Sequence, residues 1–157
     1  MKRKLLYISI GIVVCCVIGF LSSVATQSSV NDWYVTLNKP SFNPPNWIFA
    51  PVWTMLYVLM GISVGLVWAK GFYHKWVKTA LYHFGIQLLL NGLWSIVFFG
   101  LQQPFWALLV ILSLLIVLVL TLKWFKVVSR LAAFLLLPYL FWVCFAAFLN
   151  YKIWELN

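Results

Sequence analysis

LNKPSFNPPNWIFAPVWTMLY, residues 37–57, decides how the rest of the chain is read. Pro40, Pro44, Pro45 and Pro51 fill four of its 21 positions, which fixes much of φ and removes backbone donors. Residues that precede proline are biased away from helix, so the segment stays extended or turned until about Asn46. Asn46 is placed to cap a helix beginning at Trp47, and Pro51 is tolerated in its first turn or just after. Trp47, Phe49, Trp53 and Tyr57 follow. A stiff aromatic loop that feeds an apolar helix suits a cover over something better than a flexible linker.

The composition around this stretch sets the class. The 157 residues are 65% hydrophobic and 8% charged, with ten tryptophans and a mean hydropathy of +1.01. A soluble domain of this size cannot bury so much apolar surface, so the solvent is lipid. A bilayer span needs roughly 20 apolar residues. Five segments qualify: 5–25, 47–69, 77–101, 104–122 and 131–151. The first ends in Ser23-Val24-Ala25, which resembles a signal-peptide cleavage site, but its apolar run is long for a signal peptide and reads as a retained helix. The expected architecture is an all-α integral membrane protein. One domain over residues 1–157 holds a five-transmembrane-helix bundle, with residues 26–46 as a Pro-rich outer lid loop.

Charge gives orientation and excludes partners. Lys2, Arg3, Lys4, Lys70, Lys75, Lys78, Lys123, Lys126 and Arg130 fall on one side of the spans, and Lys39 and Lys152 on the other. Nine against two places the N-terminus inside and the C-terminus outside. The net charge of +9 is accounted for by these short clusters between spans, so no nucleic-acid partner is expected. Asp32 and Glu155 are the only acids and lie outside the spans; hydrolytic acid–base chemistry has no carboxylate pair to use. The spans hold no ionisable relay beyond His83 near the inner edge, which argues against an ion-coupled pump. Cys15, Cys16 and Cys144 sit in apolar surroundings as unpaired thiols, and no metal-ligand spacing is present.

The helix faces carry the rest. Gly11, Cys15, Gly19 and Ser23 recur every four residues, as do Gly61, Gly65 and Ala69; such stripes serve either packing within one bundle or a dimer seam. Thr79, His83, Gln87, Asn91 and Ser95 form a polar stripe that faces protein or a cavity rather than lipid. It is either interhelical glue or part of a binding site. Tyr139, Trp142, Ala146, Leu149 and Asn150 gather on the fifth span. Given the topology, Trp53 and Tyr57, then Asn91, Trp94 and Phe98, then Trp142, Ala146, Leu149 and Asn150 converge in the outer half beneath the Pro-rich loop. Most tryptophans lie at span ends as belt residues, but Trp53, Trp94 and Trp142 lie deeper. They make either a pocket for a flat, largely apolar ligand or a closed aromatic core.

Trp33-Tyr34, Leu37, Lys39-Pro40, Pro44-Pro45, Pro51-Val52-Trp53, Leu56-Tyr57, Gln87, Leu90-Asn91, Trp94, Phe98-Phe99-Gly100, Trp106-Ala107-Leu108, Pro138-Tyr139-Leu140, Trp142, Phe145-Ala146 and Leu149-Asn150-Tyr151 together resemble the tryptophan-rich sensory protein and translocator protein family (TspO/MBR, the peripheral benzodiazepine receptors). The likeness covers nearly the whole chain. It implies a five-helix bundle, often dimeric, in a bacterial cell membrane here. It further implies binding of porphyrins such as protoporphyrin IX or haem, with none held covalently, and of small apolar benzodiazepine-site drugs. The site residues expected on this basis are Trp33, Tyr34, Lys39, Pro44, Pro45, Trp53, Tyr57, Gln87, Asn91, Trp94, Phe98, Trp142, Ala146, Leu149 and Asn150. Lys39 is the expected partner of the porphyrin propionates, and Trp53 and Trp142 are the candidates for any light-driven redox chemistry. Cholesterol does not carry over: Leu149 and Tyr151 are present, but Glu155 stands where the sterol pattern needs a basic residue, and Lys152 follows Tyr151 without a spacer. Val110 likewise replaces an acidic residue common in the family's fourth span.

Overall fold

Pro45 is extended (φ −57°, ψ 142°), and a helix starts directly after it. That switch ends the short loop that joins the first two long helices. The computed structural model describes residues 2–157 apart from the side chain of Ala25. Met1 therefore lies outside the described residues, as does the last side chain of the cleavage-site-like Ser23-Val24-Ala25. The elements are α1 (Lys2–Asn31), α2 (Trp33–Thr36), α3 (Asn46–Trp68), α4 (Lys75–Ser95) continued by a π-helical turn (Ile96–Gly100), α5 (Pro104–Val128) and α6 (Arg130–Leu156). Among the described residues there is no strand. Five helices are long and apolar enough to cross a membrane: Lys2–Val24, Asn46–Trp68, Lys75–Gly100, Pro104–Val128 and Arg130–Leu156.

The helices outrun the spans read from hydropathy. The expected lid of residues 26–46 shrinks to 37–45, because α1 continues to Asn31 and α2 follows at once. Polar side chains do not end a helix; they only end its apolar stretch. Thr26 Oγ1 donates to Ser22 O at 2.9 Å, and the Asp32 amide donates to Ser28 O at 3.0 Å. With no proline before Pro40, only a turn at Asp32 separates α1 from α2. Asn46 does not cap α3 but is its first residue, and the preceding Pro45 makes no side-chain cap. Between α5 and α6 only Ser129 is non-helical; its Oγ accepts from the Ala132 amide at 3.3 Å and starts α6.

Glycine decides how α1 and α3 meet. A Cβ on Gly61 would lie 2.3 Å from Ile12 Cα, and one on Gly65 would lie 2.4 Å from Ile8 Cα. A Cβ on Gly11 would lie 2.4 Å from the Gly61 carbonyl oxygen. These are backbone atoms, so only hydrogen fits. Of the two readings of the small-residue stripes, packing inside the bundle is what Gly11, Gly61 and Gly65 do. Elsewhere α5 packs on α4 and α6, and α6 packs on α3.

Candidate ligand-binding site

The residue that ties the bundle centre together is Asn91. Its Oδ1 accepts from Tyr57 Oη at 2.6 Å, and its Nδ2 donates to Tyr139 Oη at 2.8 Å. Tyr139 in turn donates to Gln87 Oε1 at 2.8 Å. Asn91 and Gln87 are one turn apart on α4, so the amides meet phenols from α3 and α6 in one buried chain of four side chains. A second link lies further along: Trp94 Nε1 donates to Asn150 Oδ1 at 3.0 Å, and Asn150 Nδ2 donates to the Pro104 carbonyl at 2.8 Å. The polar stripe read from the sequence therefore divides. Gln87 and Asn91 bind across helices, Ser95 lines a cavity, and Thr79 and His83 bond locally at the far end. Gln87 Nε2 and Trp142 Nε1 are buried with no partner.

Around Trp53 the deep tryptophans come together. Its ring lies 6.2 Å from Trp94 and 6.4 Å from Trp142, the latter edge-on at 89°. Trp53 also divides two spaces. On the α6 side, Tyr34, Trp53, Trp94, Phe98, Trp142, Ala146, Leu149 and Asn150 enclose only ≈ 20 Å³. That is room for about one water molecule, so the face expected to hold a flat ligand is a closed aromatic cluster. On the α1 side a cavity of ≈ 570 Å³ opens between α1, α3 and α4. Trp53, Tyr57, Asn91, Trp94 and Phe99 form its inner wall; Ser22, Thr26, Gln27 and Asn31 of α1 and Asn46 and Thr54 of α3 add polar groups.

This second space is where the sequence reading fell short, because none of the α1 residues was among its expected site residues. The signal was present: Ser22, Thr26 and Asn31, together with Gln27, make the C-terminal third of α1 polar, and that polarity was read as the end of the span. Gly19 matters here too. A Cβ on it would lie 2.4 Å from Tyr57 Cε2, so the missing side chain is what seats the Tyr57 ring.

The loop over the site is tied down. Tyr34 Oη donates to Asn43 Oδ1 at 2.7 Å, and burial pushes this phenol up to about 12, the Asn43 hydrogen bond pulling the other way. Asn157 clamps Asn38 reciprocally, accepting from its amide and donating to its carbonyl, both at 3.0 Å. Phe42 stacks on Phe148 at 5.3 Å. Lys39, the expected propionate partner, is held by the loop's own backbone. Its ammonium donates to the carbonyls of Tyr34 at 2.8 Å and Leu37 at 2.9 Å and lies 5.0 Å from the Tyr34 ring. A short helix ends there with free carbonyls, and the nearest flexible cation satisfies them. Trp33, Lys39, Pro44, Pro45 and Gln87 line neither space; Trp33 instead packs edge-on against Phe98 at 5.7 Å.

The sequence profile described as the TspO/MBR family matches residues 11–155. The chain belongs to the TspO/MBR family. It is 43% identical to the tryptophan-rich protein TspO of Chlorobaculum tepidum over 157 residues, which is 100% of this chain and 99% of that one. It is 40% identical to the translocator protein of Sus scrofa over 141 residues, 88% of this chain and 83% of that protein. With the tryptophan-rich sensory protein of Cereibacter sphaeroides it shares 35% identity over 130 residues, 81% and 78% of the two chains. As a TspO/MBR protein with five helices of spanning length, it is a membrane protein.

Proposed function

We propose that this TspO/MBR protein binds a tetrapyrrole such as protoporphyrin IX or haem, or a small flat drug-like ligand of the benzodiazepine-site type, and serves as a membrane sensor, transporter or regulator of tetrapyrrole levels. The observation that carries this is the ≈ 570 Å³ cavity walled by Trp53, Tyr57, Trp94 and Phe99. Its volume lies within the range of roughly 300–1,000 Å³ usual for small-molecule sites. Indole and phenol rings on one wall favour a rigid aromatic disc, at about 0.5–1.5 kcal/mol per aromatic pair beyond burial. The polar groups of α1 give the ligand's edge substituents neutral partners. We also propose a bacterial cell membrane as its location, with the N-terminus inside, and a homodimer as its assembly. Titrating the purified protein in darkness with protoporphyrin IX, read by tryptophan fluorescence and porphyrin absorbance, tests the reading. Saturable binding weakened by Trp53→Ala and by Gly19→Leu supports it. Non-saturable partitioning that ignores both substitutions refutes it and leaves a protein that only organises partners or packing.

A second reading draws on Trp53 and Trp142 lying 6.4 Å apart, one of them on the cavity wall. An excited porphyrin beside Trp53 takes an electron from the indole and passes it to O2; the reduced oxygen attacks the porphyrin, which returns an electron to the indole radical, so in light the porphyrin is oxidised and O2 reduced. Under this reading Trp53→Phe and Trp142→Phe keep binding but lose the conversion.

A further inference from the structure

The end of the bundle opposite the Pro-rich loop carries a cation surface with no acidic neighbour. Nine of the eleven basic residues lie in the segments at that end, while both acids, Asp32 and Glu155, lie in segments near the other. Within it, α4 and α5 build a more specific arrangement. Trp76 of α4 and Trp124 of α5 stack at 5.4 Å and 14°. Lys75 Nζ lies 5.6 Å from the Trp76 ring, and Lys123 Nζ lies 5.8 Å from the Trp124 ring. One two-ring stack thus holds two ammonium groups from two helices. Lys78 adds a third, 5.5 Å from the Phe72 ring. Cation–ring contact orients a lysine without neutralising it, so each charge still calls for an anion. The first turn of α4 reinforces this, for it has no acidic residue and no side-chain cap.

We infer that this α4–α5 surface binds the phosphate of an anionic glycerophospholipid in the leaflet at that end. The rest of the two helices says why the occupant is a lipid rather than a soluble anion. On the face of α4 below Lys75, Tyr82, Ile86 and Leu89 are exposed; below Lys123 on α5, Ile116, Val119 and Leu120 are exposed. Phosphate-binding groups therefore sit at the head of two apolar tracks that acyl chains can follow. A free phosphate or an acidic peptide uses the first part and leaves the second bare. Clustered lysines beside a bilayer contribute about a factor of five in affinity each, and the stack adds position to that charge.

Native mass spectrometry of the delipidated full-length protein, released from micelles loaded with dioleoyl phosphatidylglycerol or dioleoyl phosphatidylcholine, tests this. The expected result is retention of phosphatidylglycerol and not phosphatidylcholine. The double substitution Lys75→Gln/Lys123→Gln weakens that retention about 25-fold, two lysines at a factor of five each. Lys2→Gln/Lys4→Gln removes equal charge on α1 and changes retention far less. The inference is overturned if the two lipids are retained alike or if the α1 pair weakens retention as much as the α4–α5 pair. It is also overturned if excess glycerol 3-phosphate displaces the lipid fully, which makes the site one for free anions. A change in the monomer–dimer ratio instead of the lipid count assigns the face to a subunit contact.

Discussion

Gly19→Ala tests the packing that supports the cavity. The new methyl group would lie 2.4 Å from Tyr57 Cε2, 2.5 Å from Cδ2 and 3.0 Å from Cζ. Ordinary carbon contacts begin near 3.4 Å, so the ring edge must retreat by about 1 Å. Tyr57 is not free to do so, because its hydroxyl holds Asn91 Oδ1 at 2.6 Å and its ring lies 5.7 Å from Trp53. A retreat of that size takes the hydroxyl out of hydrogen-bonding range and leaves Asn91 Oδ1 without its phenol donor. Overpacking of this kind costs about 1–3 kcal/mol, and the lost bond adds about 0.5–1.5 kcal/mol. The better helix propensity of alanine returns up to about 1 kcal/mol. The net expectation is a loss of roughly 0.5–3.5 kcal/mol, with weaker porphyrin binding because Trp53 shifts with Tyr57. Unfolding in mixed micelles by titrated sodium dodecyl sulfate measures it. The specific check is a double-mutant cycle with Tyr57→Ala, in which the ring that clashes is gone. Gly19→Ala should then cost nothing further, so the coupling should equal most of the single-mutant loss. If the two substitutions add within about 0.5 kcal/mol, Gly19 does not seat Tyr57 and the argument for it falls.

Three other outcomes follow from the same geometry. Gly61→Ala, whose methyl would meet the backbone of Ile12 at 2.3 Å, should lower the unfolding midpoint, whereas Gly85→Ala, which meets nothing within 4 Å, should leave it unchanged or raise it; equal effects in the same unfolding assay would contradict the close approach of α1 and α3. Tyr34, held near 12 when folded against an ordinary 10, keeps its proton where the released loop gives it up; its stabilisation is therefore whole below pH 10 and fades as pH rises from 10 to 12, a slope that Tyr34→Phe should remove from the loop's proteolysis rate. Lys39→Met should loosen the loop, seen as faster proteolysis after α2, yet leave porphyrin affinity nearly intact at any salt concentration; a large affinity loss that salt mimics would show that the ammonium leaves its carbonyls for the ligand.

The sequence by itself determined the class and much of the centre. Five apolar runs in a chain with 8% charged residues admit only spanning helices, because lipid forces each backbone group to bond within its own helix. Trp53, Trp94 and Trp142 were legible as a deep group, since a belt at the interface cannot use tryptophans that far into a span, and Gln87 and Asn91 as inward-facing, since an unpaired amide in hydrocarbon is too costly. Tertiary structure alone decided which side of Trp53 is open. Closure on the α6 side and the ≈ 570 Å³ space on the α1 side depend on how helices distant in sequence sit against one another. In the α1–α3 pair that comes down to glycines at which an added Cβ would lie 2.3–2.4 Å from the facing backbone, an approach that periodicity does not encode. The same holds for Lys39. Its place in a stiff loop was plain from the prolines, but its backbone acceptors, the carbonyls of Tyr34, Val35 and Leu37, exist only once α2 has formed and ended beside it. Local spacing fixes which face a side chain lies on; its partner is fixed by the long-range packing that brings a second element to that face.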